Sequence, residues 1–379
     1  MKAKLPLGFR ANGISCGIKK SGKPDLGLIF SEQSGRASGL FTANRITSGS
    51  VKFCRKNLAG SGRFQAIIIN SGNANCWTGG DSFKSAAVVS QELASLLGIR
   101  RKEVLLASTG IIGRSLPVGR IKKALPILVG GLSGLGLVSA AKAILTTDTF
   151  VKLTTARLNI GRSTVTLCGL AKGAGMIAPS LSQKKATMLC FLLSDADIAQ
   201  NALNSALRGA VEKSFNCITV DGCMSTNDTV LIMSNSCCGN PVIKQGSAGF
   251  QKFSSALNRV CLDLAKMIVR DAEGASKFIQ ISINGARTDQ EARQAALNIA
   301  NSNLFKTAVF GRSSNLGRIA AALGASGISL KEKDLRISVS PLNKKDVYVA
   351  VRMGRGNSKA VVYTSDLTPE YIRINAHYS

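Results

Sequence analysis

Apolar positions along this chain switch between two periods. Residues 63–70 read RFQAIIIN, a short continuous apolar run that predicts a buried strand. The small-residue loop SGNANCWTGG follows, from Ser71 to Gly80. Asp81 is then placed to cap a helix with Phe83, Val89, Leu93, Leu96 and Leu97 on one face and Gly98 just past its end. Residues 104–107 predict a short strand ending at Ser108-Thr109-Gly110, and residues 163–171 alternate as a strand running into the turn KGAGM. The second half alternates more regularly. Residues 187–193, 229–233 and 277–283 read as strands. Ile198, Leu203, Leu207, Val211 and Phe215 recur near helical spacing, as do Phe253, Leu257, Val260, Leu264, Met267 and Ile268. Thr288-Asp289-Gln290-Glu291 has the capping-box form and opens another helix, and three β-rich pieces follow. The pattern predicts an α/β, or α+β layered, protein with helices packed on mixed sheets.

Composition narrows this. With 379 residues, 45% apolar and 18% charged, the chain is long enough for two similar units and too apolar to be disordered. No apolar run approaches the ~20 residues of a membrane span, and MKAKLPLGFRANG has no apolar core after its lysines, so a cytoplasmic protein is expected. Ten cysteines include no CxxC pair, and one histidine leaves little room for a Cys/His zinc site. Reduced, mostly buried thiols and no metal are the expectation.

The net charge of +28 is uneven. Residues up to Ala186 carry 27 bases and 6 acids, or +21; the remainder carries 22 and 15, or +7. Such an excess fits polyanion binding. The bases are scattered singly or in short clusters without interleaved aromatics, so nucleic acid is the lesser reading. A solvated basic face, or attraction of anionic substrates, accounts for the charge more simply.

The lone histidine, His377, stands third from the end, and no GxSxG, P-loop or HExxH is present. An enzyme of this composition works without histidine. One solution is an N-terminal threonine nucleophile, whose own α-amine, with a pKa of roughly 7.7–8.0, takes the hydroxyl proton. It needs a loop ending in a small residue, then Thr, then a buried strand. Ala186-Thr187-Met188-Leu189-Cys190-Phe191 has that form after a loop over 172–185.

The residues around it carry a resemblance. AKGAGMIAP followed by ATML resembles the self-processing threonine acyltransferases of arginine biosynthesis, the bifunctional ornithine acetyltransferase / glutamate N-acetyltransferase family. Further matches occur in that family's order: GFRANGISCGIK at 8–19, LFTANR at 40–45, INSGNAN at 69–75, STGIIG at 108–113, TTDTF at 146–150, DGCMSTNDT at 221–229, RDAEGASK at 270–277 and YIRINAHYS at 371–379.

The resemblance implies roles residue by residue. Thr187 is the nucleophile, freed when the Ala186–Thr187 bond cleaves, so that 1–186 becomes an alpha fragment and 187–379 a beta fragment. Thr109 and Gly110 supply the oxyanion hole. Thr146, Thr147, Lys172, Thr187 and Glu273 bind substrate, with Lys172 suited to an α-carboxylate and Glu273 to an α-amine. Asn375 closes the site from a C-terminal strand, and His377 has no implied role. The implied fold is two layered lobes, self-cleaved into two chains that stay together as a heterotetramer of two alpha and two beta fragments. The implied reaction moves acetyl from N-acetylornithine through Thr187 to glutamate, with no cofactor and with acetyl-CoA left open as a second acetyl source. Ser182–Lys185 lengthen the lead-in to ATML relative to the family pattern, and Cys223 stands where an acid is usual. A threonine hydrolase of the same architecture, passing its acyl group to water, is the alternative within the fold.

Overall fold

The computed structural model describes residues 4–60, 62–178 and 188–377. The chain forms two compact units: Met1–Gly173, Pro179–Asn216 and Met224–Leu264 make the first, and Ala174–Ala178, Cys217–Cys223 and Ala265–Ser379 the second. The first unit holds chain from both sides of position 186, so a cut there does not separate one unit from the other.

The first unit is built on an eight-stranded mixed sheet. Its strands are β1 (Phe9–Ile14), β2 (Leu26–Phe41), β3 (Phe64–Asn73), β4 (Val104–Ile111), β5 (Lys152–Ile160), β6 (Ser163–Lys172), β7 (Leu189–Ser194) and β8 (Thr229–Ser234). The order is β4-β3-β2-β8-β7-β6-β5, with β1 pairing β2. β3 and β4 are parallel, as are β7 and β8, and the other pairs are antiparallel. LCFLLS in β7 and TVLIMS in β8 are buried at every position, which is why both read as unbroken apolar runs.

The 16-residue β2 joins the two halves of this sheet. Leu26–Phe30 pairs with β3; the register then slips, and Arg36–Phe41 pairs with β8. Gly35 sits at the slip, where a Cβ would lie 2.3 Å from the Ser234 carbonyl oxygen. Only glycine admits that approach.

Helices Gly49–Gly60, Ser82–Leu97 and Val118–Gly130 belong to the same unit, and only the second is expected from the pattern. Gly98 ends it in the left-handed conformation as expected, at φ 67°. Asp81 does not cap it. At φ −82° and ψ −7° its backbone is already helical rather than extended, and its side chain makes no cap bond. Leu96 is 45% exposed, because the buried stripe runs through Ala86, Val89, Ser90, Leu93 and Ala94 and passes it by.

The second unit has a four-stranded sheet of β9 (Phe278–Ala286), β10 (Arg336–Val339), β11 (Asp346–Arg352) and β12 (Ser358–Ser365), in the order β10-β11-β9-β12. Ile279, Ile281, Ile283, Val347, Val349, Val351 and Val362 form its core with Ala292, Ala295, Ala296 and Ile299 of helix Asp289–Ala300. Thr288 caps that helix by accepting from the Glu291 amide. Glu291 does not return the bond; its carboxylate pairs with Arg287 and Arg355 instead. The segment carrying Asn375 is a helix, Pro369–Ala376, not a strand. Thr368 caps it, Pro369 occupies its first turn and Glu370 complements its dipole, three start signals that override local strand propensity.

Candidate active site

The parallel ends of β3 and β4 set Thr109 and Gly110. Asn70, Ser71 and Gly72 pair in register with Ser108, Thr109 and Gly110, and the ladder becomes irregular at Asn73. Residues 108–110 are therefore the end of a strand that runs on to Ile111, rather than a turn following one. Gly110 adopts φ 130°, and a Cβ there would lie 2.3 Å from the Gly72 carbonyl carbon. Both constraints require glycine. Behind this strand end lies a buried polar network. Ser108 Oγ meets Asn70 Oδ1 and Ser50 Oγ, each at 2.6 Å. The Asn227 carboxamide donates to the carbonyls of Ala74 at 2.6 Å and Ser108 at 2.7 Å. Ser108 is buried while Thr109 and Gly110 are half-exposed, so the network fixes a strand end whose next two residues remain accessible.

Lys172, at the end of β6, is buried rather than solvated. Its Nζ lies 3.9 Å from Asp148 Oδ2. Asp148 is a hub with no exposed side-chain surface. Its carboxylate also accepts from Lys152 Nζ at 2.7 Å, Gly173 N at 2.7 Å and Thr146 N at 3.0 Å. Burial alone would push this acid up, but the Lys172 and Lys152 ammoniums outweigh it and hold the carboxyl well below the usual carboxylate range. Thr146 and Lys172 are thus ordered by one carboxylate, and Thr147, next to Thr146 in sequence, is half-buried. Asp148 lies inside TTDTF, and Lys152 is four residues further on. That acid–base spacing is the signal for the hub in the sequence.

In the second unit, Glu273 follows the long helix Ala248–Arg270. Its amide donates to the Ala174 carbonyl at 3.0 Å, and its Oε2 accepts from Asn375 Nδ2 at 2.9 Å. Asn375 is exposed, one helical turn from Tyr371. Tyr371 donates its hydroxyl to Asp221 Oδ2 at 3.2 Å. Asp221 in turn accepts from the amides of Met176 at 2.6 Å, Ile177 at 3.0 Å and Cys223 at 3.0 Å. The DGC loop therefore holds the Met-Ile of AKGAGMIAP, a role for Asp221 and Tyr371 that the sequence reading did not assign.

Thr109, Gly110, Thr146, Thr147 and Lys172 belong to the first unit, and Glu273 and Asn375 to the second. Ala186, Thr187 and Ser182–Lys185 lie outside the described residues. Met188 is buried, and its carbonyl accepts from the Thr229 amide at 3.0 Å. His377 is exposed. None of the ten cysteines forms a disulfide; six are buried and Cys223 is exposed. Among the described residues, no three His, Cys, Asp or Glu side chains gather as a metal site would, and no helix is long and apolar enough to cross a membrane.

The profile of the ArgJ family matches residues 10–379. The chain belongs to the ArgJ family. It is 41% identical over 392 residues to the arginine biosynthesis bifunctional protein ArgJ of Geobacter sulfurreducens, covering 98% of each chain. It is 39% identical over 401 residues to that of Caldanaerobacter subterraneus, covering 100% of this chain and 98% of the relative. Among solved structures, an ornithine acetyltransferase of Mycobacterium tuberculosis complexed with ornithine is 34% identical over 48% of this chain and 98% of its own, with a TM-score of 0.43. The resemblance carried by AKGAGMIAP and ATML thus extends to family membership over nearly the whole chain.

Proposed function

We propose that the protein moves an acetyl group from N-acetylornithine to glutamate through an acetyl ester on Thr187, after cleavage between Ala186 and Thr187. The observation that carries this reading is the match to ArgJ relatives over 98% of both chains at 41% identity. The chemistry available around the described residues agrees with it. The Thr109 hydroxyl and the Gly110 amide provide two donors for a tetrahedral oxyanion. Lys172 offers a cation to an α-carboxylate, and Glu273, oriented by Asn375, offers an anion to an amine. Both substrates bear an α-carboxylate, so one subsite serves each in turn.

In this mechanism the Thr187 α-amine takes the hydroxyl proton as Thr187 Oγ attacks the acetyl carbonyl. It returns that proton to the departing ornithine amine as the acyl-enzyme forms. Glutamate's amine then attacks the ester, and Thr187 Oγ recovers the proton. No cofactor enters this cycle; acetyl-CoA acts only as a second acetyl donor. The two fragments remain associated as a heterotetramer of two alpha and two beta chains, in the cytoplasm.

The test is intact mass and acetyl transfer on the same purified sample. Fragments ending at Ala186 and beginning at Thr187, with N-acetylglutamate formed from N-acetylornithine and glutamate, are expected. Thr187→Ala abolishes both cleavage and transfer, and Thr187→Ser keeps some of each. Initial rates follow parallel lines; intersecting lines, or an unbroken chain that still transfers acetyl, overturn the reading.

A further inference from the structure

Lys19, in the motif GISCGIK, is a cation that the reaction described above does not use. The chain around it is tightly set. The Asp25 carboxylate accepts from the backbone amides of Cys16 at 2.7 Å, Ile18 at 2.6 Å and Lys19 at 2.9 Å. This fixes the loop between β1 and β2 at the end of β3. A Cβ on Gly72 would lie 3.0 Å from Lys19 Cγ and 3.1 Å from Ile18 Cγ2. Gly72 is also the register partner of Gly110. The Lys19 stem therefore lies against the strand end that carries the oxyanion donors.

The ammonium is held at the chain just before TTDTF. Nζ donates to the carbonyls of Pro24 and Leu145, each at 2.7 Å. Leu145 immediately precedes Thr146. Among the described residues Lys19 Nζ makes no ion pair: the Asp25 carboxylate is occupied by backbone amides, and Asp148 serves Lys152 and Lys172. Two carbonyls satisfy two of three ammonium protons without neutralising the charge. A half-buried cation of this kind is stabilised when an anion arrives beside it.

We propose that Lys19 is a second cation of the carboxylate subsite, supplying with Lys172 the positive charge that a substrate α-carboxylate neutralises. This inference rests on the acetyl-transfer reading for the identity of the ligand. The groups facing Lys19 are Asp25 and Lys23 on its own loop, Lys172 from β6 and Asp148 from the loop before β5. Burial lowers the Lys19 ammonium to about 8; Asp25 and Asp148 oppose that shift, and Lys172 and Lys23 add to it. The free protein thus loses this cation as pH rises through about 8. A bound carboxylate favours the charged form, so binding takes up a proton above that pH.

Glutarate is the probe: it carries glutamate's two carboxylates and no amine, so it neither accepts acetyl nor titrates in this range. Its Kd is measured by calorimetry on the processed wild-type protein and on Lys19→Met between pH 7 and 9.5. At pH 7 Lys19→Met binds roughly tenfold or more weakly, as expected for loss of one charge-assisted contact. By pH 9.5 wild-type affinity has fallen toward that of the variant, and the gap closes to about twofold. A brace that only holds Leu145 in place would leave the gap independent of pH. A constant gap, no gap at pH 7, or no glutarate binding by wild type overturns the inference. If Lys19→Met does not fold, Lys19→Arg carries the test, since guanidinium stays charged throughout: retained affinity at pH 9.5 supports the proposal, and a loss parallel to wild type overturns it. Acetyl transfer assayed on the same wild-type sample separates the two readings. Transfer with a constant gap removes only the role of Lys19, whereas absence of transfer removes the acetyltransferase.

Discussion

A Cβ built on Gly175 would lie 2.1 Å from Glu273 Oε2 and 2.3 Å from its carboxyl carbon. The missing side chain at Gly175 is therefore the space in which the Glu273 carboxylate stands, with Asn375 Nδ2 holding the same oxygen. Gly175→Ala forces the carboxylate aside, its nearest atoms being those of the Glu273 side chain, so folding survives while the anion proposed to bind the substrate amine is displaced. The expected result is a KM for glutamate raised roughly tenfold, the value of a charge-assisted hydrogen bond, with turnover at saturation changed little. Steady-state kinetics check this; an unchanged KM would remove Gly175 from the site.

Lys306 is a buried lysine whose Nζ donates to the Val220 carbonyl, one residue before Asp221. Burial lowers it to about 8, partly offset by Asp221 and Asp366. Between about pH 8 and its ordinary value near 10.4 the unfolded chain binds a proton that the folded chain does not, so this residue makes stability rise with pH. The slope approaches about 1.4 kcal/mol per pH unit. Lys306→Met lacks it. Denaturant unfolding of both proteins at pH 7 and pH 10 is expected to show wild type gaining on the variant at the higher pH. A difference that stays constant would mean that Lys306 titrates normally.

The legible parts of the fold were those whose patterning is local. The runs LCFLL and TVLIM announce β7 and β8 because both faces are buried, and Thr288 announces its helix because the cap bond spans three residues. β2 was not legible: its register slips at Gly35, so no single alternation runs through LGLIFSEQSGRASGLF. Tyr371–Asn375 alternates as a strand would, and the helix is decided by Thr368 and Pro369 upstream. The same contrast holds at the site. The resemblance points to Lys172 in AKG and Glu273 in AEGASK, each readable within its own short motif. Asn227 could not be read from the chain, since the carbonyls it clamps belong to Ala74 and Ser108, far away in sequence.

In the proposed mechanism Thr109→Ala removes one of the two oxyanion donors. The donor acts on charge that develops after binding, so turnover falls roughly 10²–10³-fold, about 2.7–4 kcal/mol, with substrate affinity nearly constant. The measurement is kcat and KM on protein normalised to its processed fraction, because the proposed cleavage would draw on the same donors. A normal turnover number would exclude Thr109 from the mechanism.

Asn227 clamps the strand end that carries these proposed donors. Its two amide protons tie the Ala74 carbonyl, just past β3, to the Ser108 carbonyl, one residue before Thr109. Asn227→Ala strands two buried carbonyls and releases the pair of strand ends whose register places Gly110 against Gly72. The loss in stability is about 1–3 kcal/mol for each acceptor left unpaired. Asn227→Asp separates geometry from volume: an ionised carboxylate keeps the shape but presents an oxygen to both carbonyls, whereas a protonated one restores a single donor. Turnover of Asn227→Asp is therefore expected to fall more than its KM changes, and to recover in part, relative to wild type, as pH is lowered toward 6. Asn227→Ala loses turnover without that recovery. A plain packing role would lower the melting temperature of both variants alike and leave the pH profile of the folded fraction parallel to wild type. That parallel profile, or full turnover in folded Asn227→Ala, would show that the strand ends hold the oxyanion donors without this clamp.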